Sequence, residues 1–343
     1  MIPPSLPSPH DAPGRLDADP APAGTSVAVV PSSGLGDGLI QIVLANGLRA
    51  AGYDVTYYHD GVHRLRERLP GLRTCPLPER SAMLEALAAY DVVLFDAGAY
   101  FLTASPLLRA WMIEHGIGYS MGRDAPPRAE IGPTRTGAPL VALNRSLRAG
   151  PLRWPRPPLA RQVAAQVARR LGLGAPSIDL GVVVPRPDAP SRRRRVCIHP
   201  EASMPKKCWD PECFLQLASA LGANGWTPVL TVAPRAHERW LQLAEGRAEV
   251  VTFADEVALA DYYAASRAFI GNDSGNAHVA SLVGLPSVVL FRHRGRFPTW
   301  RAAWRRPTVV APRVLGRGPW QKRISVARVE RAFYRSVGER SPG

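Results

Sequence analysis

The chain has 343 residues, of which 46% are hydrophobic and 21% charged, and 43 basic against 28 acidic residues give it a formal net charge of +15. This composition is typical of a globular chain long enough for two domains, and it excludes a wholly disordered protein. No run of about 18 apolar residues occurs, which excludes a transmembrane helix. The basic excess favours anionic partners and the surface of an acidic membrane.

The first 24 residues contain seven prolines. They lack the basic and apolar regions of a secretory signal, so we predict a disordered proline-rich tail over residues 1–24. Four cysteines without a C-x-x-C pair make no disulfide framework and indicate a reducing cytoplasm. Cys197, His199, Cys208 and Cys213 lie close in sequence and raise a zinc site as an alternative, although their spacing matches no familiar metal motif.

Strands and helices alternate after the tail. The pattern predicts strands at residues 26–31, 54–58, 91–96 and 139–143, and helices at residues 39–51, 79–90 and 105–115. Such alternation is typical of a parallel sheet covered by helices on both faces. We therefore assign residues 25–172 to a first Rossmann-like domain of an α/β protein.

A segment rich in glycine and proline, residues 173–195, interrupts this pattern and predicts a linker. It ends in four arginines, interpreted as a solvated turn or as a ligand site. A second alternation follows, with strands at residues 196–199, 227–232, 249–253, 268–271 and 287–291, and helices at residues 211–224, 237–245, 258–265 and 276–283. We assign residues 196–323 to a second Rossmann-like domain and residues 324–343 to a C-terminal helix and tail. Because such sheets bind ligands at the carboxyl ends of their strands, a cleft between the two domains is expected.

A glycine loop (residues 32–38) follows the first strand and opens a helix. A dinucleotide fingerprint would require a glycine at Leu39, which disfavours that interpretation. The loop carries one carboxylate, Asp37. Asp37 is either an N-cap that suits the helix dipole or a general base at the mouth of the cleft.

A lysine loop (residues 199–209) follows the first strand of the second domain. Ser203 and a lysine can bind phosphate there. The chain has only three lysines, and two of them, Lys206 and Lys207, lie in this loop. An ammonium is a compact point charge that fits where the planar arginine fork does not. The alternative is a solvated turn.

An Asp-Ser-Gly turn (residues 273–275) lies between a strand and the N-terminus of a helix. Free backbone N–H groups and the helix dipole make an anion site at Ser274 and Gly275, and glycine lets a diphosphate approach closely. Asp273 can accept hydrogen bonds from sugar hydroxyls. His278 is either a ligand or a packing residue.

Together the three segments resemble the lipopolysaccharide heptosyltransferases, glycosyltransferase family nine, which have the GT-B fold of two Rossmann-like domains facing a central cleft. The family's Gly-Asp, Lys-x-Trp and Asp-Ser/Thr-Gly-x-x-His stretches are similar to Gly36-Asp37, Lys207-Cys208-Trp209 and Asp273-Ser274-Gly275 with His278. The order and spacing of these stretches agree, and the likeness runs from residue 26 to residue 337.

The resemblance implies an inverting glycosyltransferase that moves heptose from ADP-heptose to a lipopolysaccharide-core or related anionic glycan acceptor. The first domain would bind the acceptor and the second the nucleotide sugar. The implied roles are a catalytic base at Asp37, donor diphosphate binding at Ser203, Lys207, Ser274 and Gly275, donor sugar or ribose binding at Asp273, and support from Gly36 and His278. No cofactor or obligatory metal is implied, since the nucleotide sugar is a substrate. A cytoplasmic protein is implied, with peripheral contact at the cytoplasmic face of the inner membrane and no nucleic-acid partner.

Two departures leave other functions open. Glu201 stands where the family often has a small residue, and an arginine-rich segment at residues 291–297 follows the last predicted strand. The alternatives are a GT-B transferase that uses a UDP- or GDP-sugar, and a non-catalytic basic module that binds glycan or nucleic acid. Two interpretations remain open for four arginines of the first domain: each either contacts acceptor phosphates or lies on a solvated surface. These residues are Arg64, Arg66, Arg123 and Arg135.

Overall fold

The computed structural model describes residues 24–79, 81–96, 106, 107, 110, 116–119, 157–185, 194–294, 297–312 and 319–341. Outside these ranges lie the predicted tail up to residue 23, most of the helix predicted at 105–115, the strand predicted at 139–143, and both Arg123 and Arg135. The two halves of the chain each contain one parallel sheet.

The first sheet has five parallel strands in the order β3-β2-β1-β4-β5. They are β1 (Ser26–Val30), β2 (Asp54–Tyr58), β3 (Arg73–Cys75), β4 (Val92–Asp96) and β5 (Gly116–Tyr119). The helices described with it are α1 (Leu35–Ala50), α2 (Asp60–Arg64), α3 (Met83–Ala88) and α4 (Leu159–Arg170). Helix α4 was not predicted, although Leu159, Val163 and Val167 recur at helical spacing, and it packs along α1 with Val167 against Gly47.

The second sheet has six parallel strands in the order β11-β10-β9-β6-β7-β8. They are β6 (Arg195–His199), β7 (Thr227–Thr231), β8 (Glu249–Val251), β9 (Ala268–Asn272), β10 (Ser287–Leu290) and β11 (Thr308–Val310). Its helices are α5 (Pro211–Ala223), α6 (His237–Ala244), α7 (Glu256–Ala264), α8 (Gly275–Leu282), α9 (Phe297–Trp300) and α10 (Val326–Val337).

The predicted α/β class with two parallel sheets is confirmed. The elements that were not predicted are mostly short, with three to five residues in each of β3, β5, β11, α2 and α9. Such segments are shorter than the periods by which apolar patterns are recognised. Across the described ranges, no helix combines the length and apolar character needed to cross a bilayer.

One apolar cluster joins the helices of both sheets. It contains Val27 and Val29 of β1, Leu44 of α1, Leu259 of α7 and Val279 of α8, all buried. The alternate residues of β1 point to a separate cluster on the other face of the first sheet. Because burial of these shared residues removes apolar surface from water, it holds α1 beside α8, and their N-termini meet at the same cavity.

Candidate functional site

A cavity of about 800 Å³ lies at the carboxyl ends of strands from both sheets. Loops after β1, β6, β7, β8 and β9 line it, as expected for ligand sites of parallel sheets. All of the predicted site residues line this one cavity: Gly36, Asp37, Ser203, Lys207, Asp273, Ser274, Gly275 and His278. Residues that are more than 160 positions apart in sequence, such as Asp37 and Lys207, are therefore neighbours in space.

Asp37 lies in the first turn of α1, half-buried at the cavity. The N-cap of the helix is Gly34, which contributes no side-chain cap, so the interpretation of Asp37 as an N-cap is wrong. Burial raises the pKa of the Asp37 carboxyl, and the nearby charge of Lys207 lowers it by a smaller amount. A carboxylate whose pKa is raised by desolvation is a stronger base, as a general base requires.

Side chains of β2 and of the segment that follows it hydrogen bond the backbone of the glycine loop. The Tyr57 hydroxyl donates to the Gly38 carbonyl at 2.5 Å. His59 Nδ1 accepts from Val62 N at 3.1 Å, so the proton of this neutral ring is on Nε2, which donates to the Gly34 carbonyl at 3.3 Å. Burial lowers the pKa of His59, which keeps the ring neutral. His59 was not singled out in the sequence because nothing local marks a histidine as the support of a loop 25 residues away.

Two glycines allow the N-termini of α1 and α8 to touch. A Cβ atom on Gly36 would lie 2.9 Å from His278 Cδ2 and 3.4 Å from Gly275 Cα. A Cβ atom on Gly275 would lie 3.2 Å from Gly36 N. Side chains larger than hydrogen at either position would therefore separate Asp37 from the anion site of α8.

We expect Gly36→Ala to destabilise the protein by about 1–3 kcal/mol, because the new methyl group must displace the His278 ring and the α8 backbone. Urea unfolding of the two proteins measures this difference. Gly222→Ala in α5 is the matched control, since nothing lies within 4 Å of its Cβ position. That control should be neutral or stabilising by about 0.5–1 kcal/mol. Equal stability of Gly36→Ala and the wild type would contradict the described contact.

The lysine loop presents one lysine to the cavity. Trp320 Nε1 donates to the Lys206 carbonyl at 3.0 Å, and Trp209 N donates to Asn272 Oδ1 at 2.9 Å. These bonds fix a short 3-10 helix, Pro205–Lys207, in which Lys207 is half-buried at the cavity and Lys206 is exposed away from it. The solvated-turn interpretation therefore applies to Lys206 alone.

The N-terminus of α8 has the features of an anion site. Its N-cap, Ser274, makes no side-chain capping bond, and Ser274 Oγ is buried without a hydrogen-bond partner among the described residues. The helix dipole adds partial positive charge at the same point. His278, one turn later, is buried, and burial lowers its pKa to about 4. It both packs within the fold and lines the cavity.

Several cavity residues were not predicted. They belong to β7 and the loop after it, to the loop after β8, to α7 and to α8: Thr231, Val232, Ala233, Pro234, Arg235, Phe253, Ala254, Asp255, Glu256, Leu259 and Asn276. The rule that ligands bind at strand ends, applied to β7 and β8, could have found most of them. Glu201 also lines the cavity, and its Oε2 accepts from Ala233 N at 2.7 Å, which ties the loops after β6 and β7 together.

The first-domain arginines that are described are engaged within the protein. Arg64 donates from Nε and Nη2 to the Glu256 carboxylate at 2.5 and 2.7 Å, and this pair connects α2 to α7. Arg66 donates to the His63 carbonyl at 3.2 Å. Arg64 therefore lines the cavity as the partner of the Glu256 carboxylate.

The described cysteines that were considered for a zinc site make separate contacts. Buried Cys197 bonds Ser266 Oγ at 3.2 Å, and Cys208 Sγ points to the Met204 carbonyl at 3.7 Å. Within the part of the chain that the structure describes, no three His, Cys, Asp or Glu side chains form a group that could hold a metal ion.

A known protein family matches the second half of the chain. Residues 160–310 match the model of glycosyltransferase family 9 (heptosyltransferase), which confirms the resemblance inferred from the sequence. Lipopolysaccharide heptosyltransferase 3 of Escherichia coli is 36% identical over 106 residues, which are 28% of this chain and 30% of that protein. The alignment thus spans less than a third of the curated relative.

Solved structures share the fold over most of the chain. Glycosyl transferase family 9 from Veillonella parvula has a TM-score of 0.67 at 17% identity, over 94% of this chain and 99% of its own. E. coli heptosyltransferase WaaC with ADP has a TM-score of 0.65 at 17% identity, over 91% and 99%. E. coli ADP-heptose lps heptosyltransferase II has a TM-score of 0.61 at 20% identity, over 91% and 98%. The predicted GT-B architecture is thereby confirmed.

Proposed function

We propose that this chain, which matches glycosyltransferase family 9 over residues 160–310 and has the fold of solved heptosyltransferases, is an inverting glycosyltransferase. Its donor would be ADP-heptose and its acceptor a lipopolysaccharide-core or related anionic glycan. One observation carries the proposal: a carboxylate of raised pKa, Asp37, and an anion site with Lys207 face the same cavity from the two halves of the chain. That arrangement suits a base and a leaving group on opposite sides of one reacting carbon.

In the proposed reaction an acceptor hydroxyl attacks the anomeric carbon of the donor sugar. Asp37 takes the hydroxyl proton as the new C–O bond forms, and the bond from that carbon to the diphosphate oxygen breaks with its electron pair leaving on the diphosphate. The sugar is transferred with inversion and the nucleoside diphosphate departs. General-base catalysis of this kind contributes about 10²–10⁴-fold to a rate.

The leaving diphosphate would be bound by Ser203, Lys207 and the backbone at Ser274 and Gly275. These groups stabilise negative charge that grows as the bond breaks, which is where preorganised donors have the largest effect. Asp273, the first residue of the Asp-Ser-Gly turn, would accept hydrogen bonds from donor sugar or ribose hydroxyls. Gly36 and His278 would support this geometry by the close contact between α1 and α8.

The remainder of the cavity has room for the nucleoside. It continues from the diphosphate site to the loops after β7 and β8, where Phe253 offers an aromatic surface. ADP is the proposed nucleotide because the solved WaaC structures contain ADP and ADP-2-deoxy-2-fluoro heptose. The proposal also places the protein in the cytoplasm, with its net charge of +15 favouring peripheral contact with anionic lipid at the inner membrane.

A thermal-shift screen with ADP-heptose, UDP-sugars and GDP-sugars tests the donor class. A ligand that binds only the folded state raises the midpoint temperature of unfolding. At a ligand concentration of 100 times its Kd, the free energy of unfolding increases by about 2.7 kcal/mol. We expect ADP-heptose to stabilise the protein, and transfer to phosphorylated core glycans to continue in the presence of a chelator. If only UDP- or GDP-sugars stabilised the protein, the proposed donor would change from ADP-heptose to a sugar of that nucleotide. Stabilisation by none of them, with a salt-sensitive shift by RNA, would favour a basic binding module instead.

A further inference from the structure

The turn that carries Asp37 has a glycine at each end. Gly34 is the N-cap of α1, Gly38 follows Asp37, and Gly38 N donates to the Gly34 carbonyl at 2.8 Å. The Asp37 side chain folds back over this turn, because a Cβ atom on Gly34 would lie 3.2 Å from Asp37 Oδ2. The position of the carboxylate therefore depends on where the backbone of the two glycines lies.

Two side chains from beside the loop hold the carbonyl groups of these glycines. The hydroxyl of Tyr57, a fully buried residue of β2, donates to the Gly38 carbonyl. His59 Nε2 donates to the Gly34 carbonyl, and a Cβ atom on Gly38 would overlap the His59 ring. Neither Tyr57 nor His59 lines the cavity, so each acts on the reacting groups only through the backbone of the loop.

The two supporting side chains are themselves anchored in the first sheet. His59 is the N-cap of α2, where its Nδ1 accepts from Val62 N at 3.1 Å. Its backbone N donates to the Cys75 carbonyl of β3 at 3.0 Å. Tyr57 lies within β2, which pairs in parallel with β1. Because buried polar groups that are bonded in a network are rigid, the glycine loop is connected to fixed elements of the fold.

We propose that Tyr57 and His59 are positioning residues for Asp37. Through the two glycine carbonyls they hold its carboxylate where the acceptor hydroxyl is deprotonated. This inference rests on the proposed function, since it assigns a task to the base of that reaction. A base must lie within hydrogen-bond reach of the proton that it takes, and a small misplacement of a reacting group lowers the rate steeply. The proposed diphosphate site belongs to the second half of the chain, so donor binding should not depend on these two side chains.

Single-turnover transfer from ADP-heptose to a phosphorylated core glycan, with the full-length protein, tests the role of Tyr57. We expect Tyr57→Phe to lower the single-turnover rate about three- to tenfold, the effect of one lost buried hydrogen bond, and to leave the Kd of ADP unchanged. The matched control is Tyr58→Phe. Tyr58 is the next residue of β2 and packs on the other face of the sheet, with its hydroxyl 3.0 Å from that of Tyr90. Tyr58→Phe should transfer sugar like the wild type.

A double-mutant cycle separates positioning from a general structural role. Once Asp37→Asn has removed the base, Tyr57→Phe should cause no further loss of the residual transfer rate. A loss of stability would instead lower the active fraction, and with it the rate, by the same factor in both backgrounds. The same loss with and without the Asp37 carboxylate would therefore overturn the inference.

His59→Asn tests the second bond independently. Asparagine is a good N-cap, so it keeps an acceptor for α2, but its shorter side chain does not reach the Gly34 carbonyl. It should lower the single-turnover rate in the same direction with unchanged ADP affinity. An unchanged rate in Tyr57→Phe, or in His59→Asn where the first variant does not fold, would overturn the inference and leave the proposed function intact. A wild type that transfers no sugar would overturn both.

Discussion

Asp37→Asn should reduce the rate of sugar transfer by about 10²–10⁴-fold, because the amide cannot take the proton of the attacking hydroxyl. Donor binding should persist, since the diphosphate site on α8 and the lysine loop is unchanged. Steady-state transfer kinetics and calorimetry with ADP measure the two effects separately. The lost carboxylate also removes an anion near Lys207, so ADP should bind as well as before or more tightly. Transfer at the wild-type rate would remove Asp37 from its role as base.

The pH dependence of the wild type gives the same assignment a second test. The base must be ionised, so kcat/KM should fall as the pH drops through the pKa of Asp37 in the free enzyme. Burial raises this pKa, which places the acid limb at a higher pH than an exposed aspartate would give. The assignment would be contradicted if kcat/KM did not fall on the acid side, or if it fell only at the pH where exposed carboxyl groups titrate.

Lys207→Ala should weaken nucleoside diphosphate binding and lower kcat by about a hundredfold, as expected when one preorganised donor to a growing charge is removed. The variant should also move the acid limb of kcat/KM to higher pH. The Lys207 charge lowers the pKa of Asp37 against the effect of burial, and its removal leaves burial unopposed. Nucleotide affinity and the pH profile are therefore linked through one side chain.

Two neighbouring substitutions serve as controls for Lys207→Ala. Lys207→Arg keeps the positive charge, so the acid limb should stay near its wild-type position even where the planar guanidinium binds the diphosphate less well. Lys206→Ala removes a lysine that is exposed away from the cavity and should leave both affinity and pH profile unchanged. Equal losses in the Lys206 and Lys207 variants would indicate a general effect of basic charge and not a specific site.

The sequence predicted the α/β class, and the residues that it singled out line one cavity, because both outcomes depend on local patterns. Alternating strands and helices specify parallel sheets, and loops that follow such strands meet at one edge. Asp37, Lys207 and the Asp-Ser-Gly turn each lie in the segment that follows a strand, so each could be expected at that edge before any contact was known. Short elements such as β3 and α2 have too few residues for a period to appear.

Only the tertiary structure decided which of these side chains face one another. Lys206 and Lys207 are equivalent in sequence, and the bond from Trp320 to the lysine-loop backbone decides which of them enters the cavity. The pairing of Arg64 with Glu256, 192 residues away, arises only where α2 packs beside α7. The carboxylate of Glu201 is likewise directed to the Ala233 backbone by the neighbouring strand end. Such bonds depend on packing between distant segments, which no local period or spacing encodes. The sequence by itself therefore determined the chemistry available at the cleft, and the packing of α1 against α8 decided its geometry.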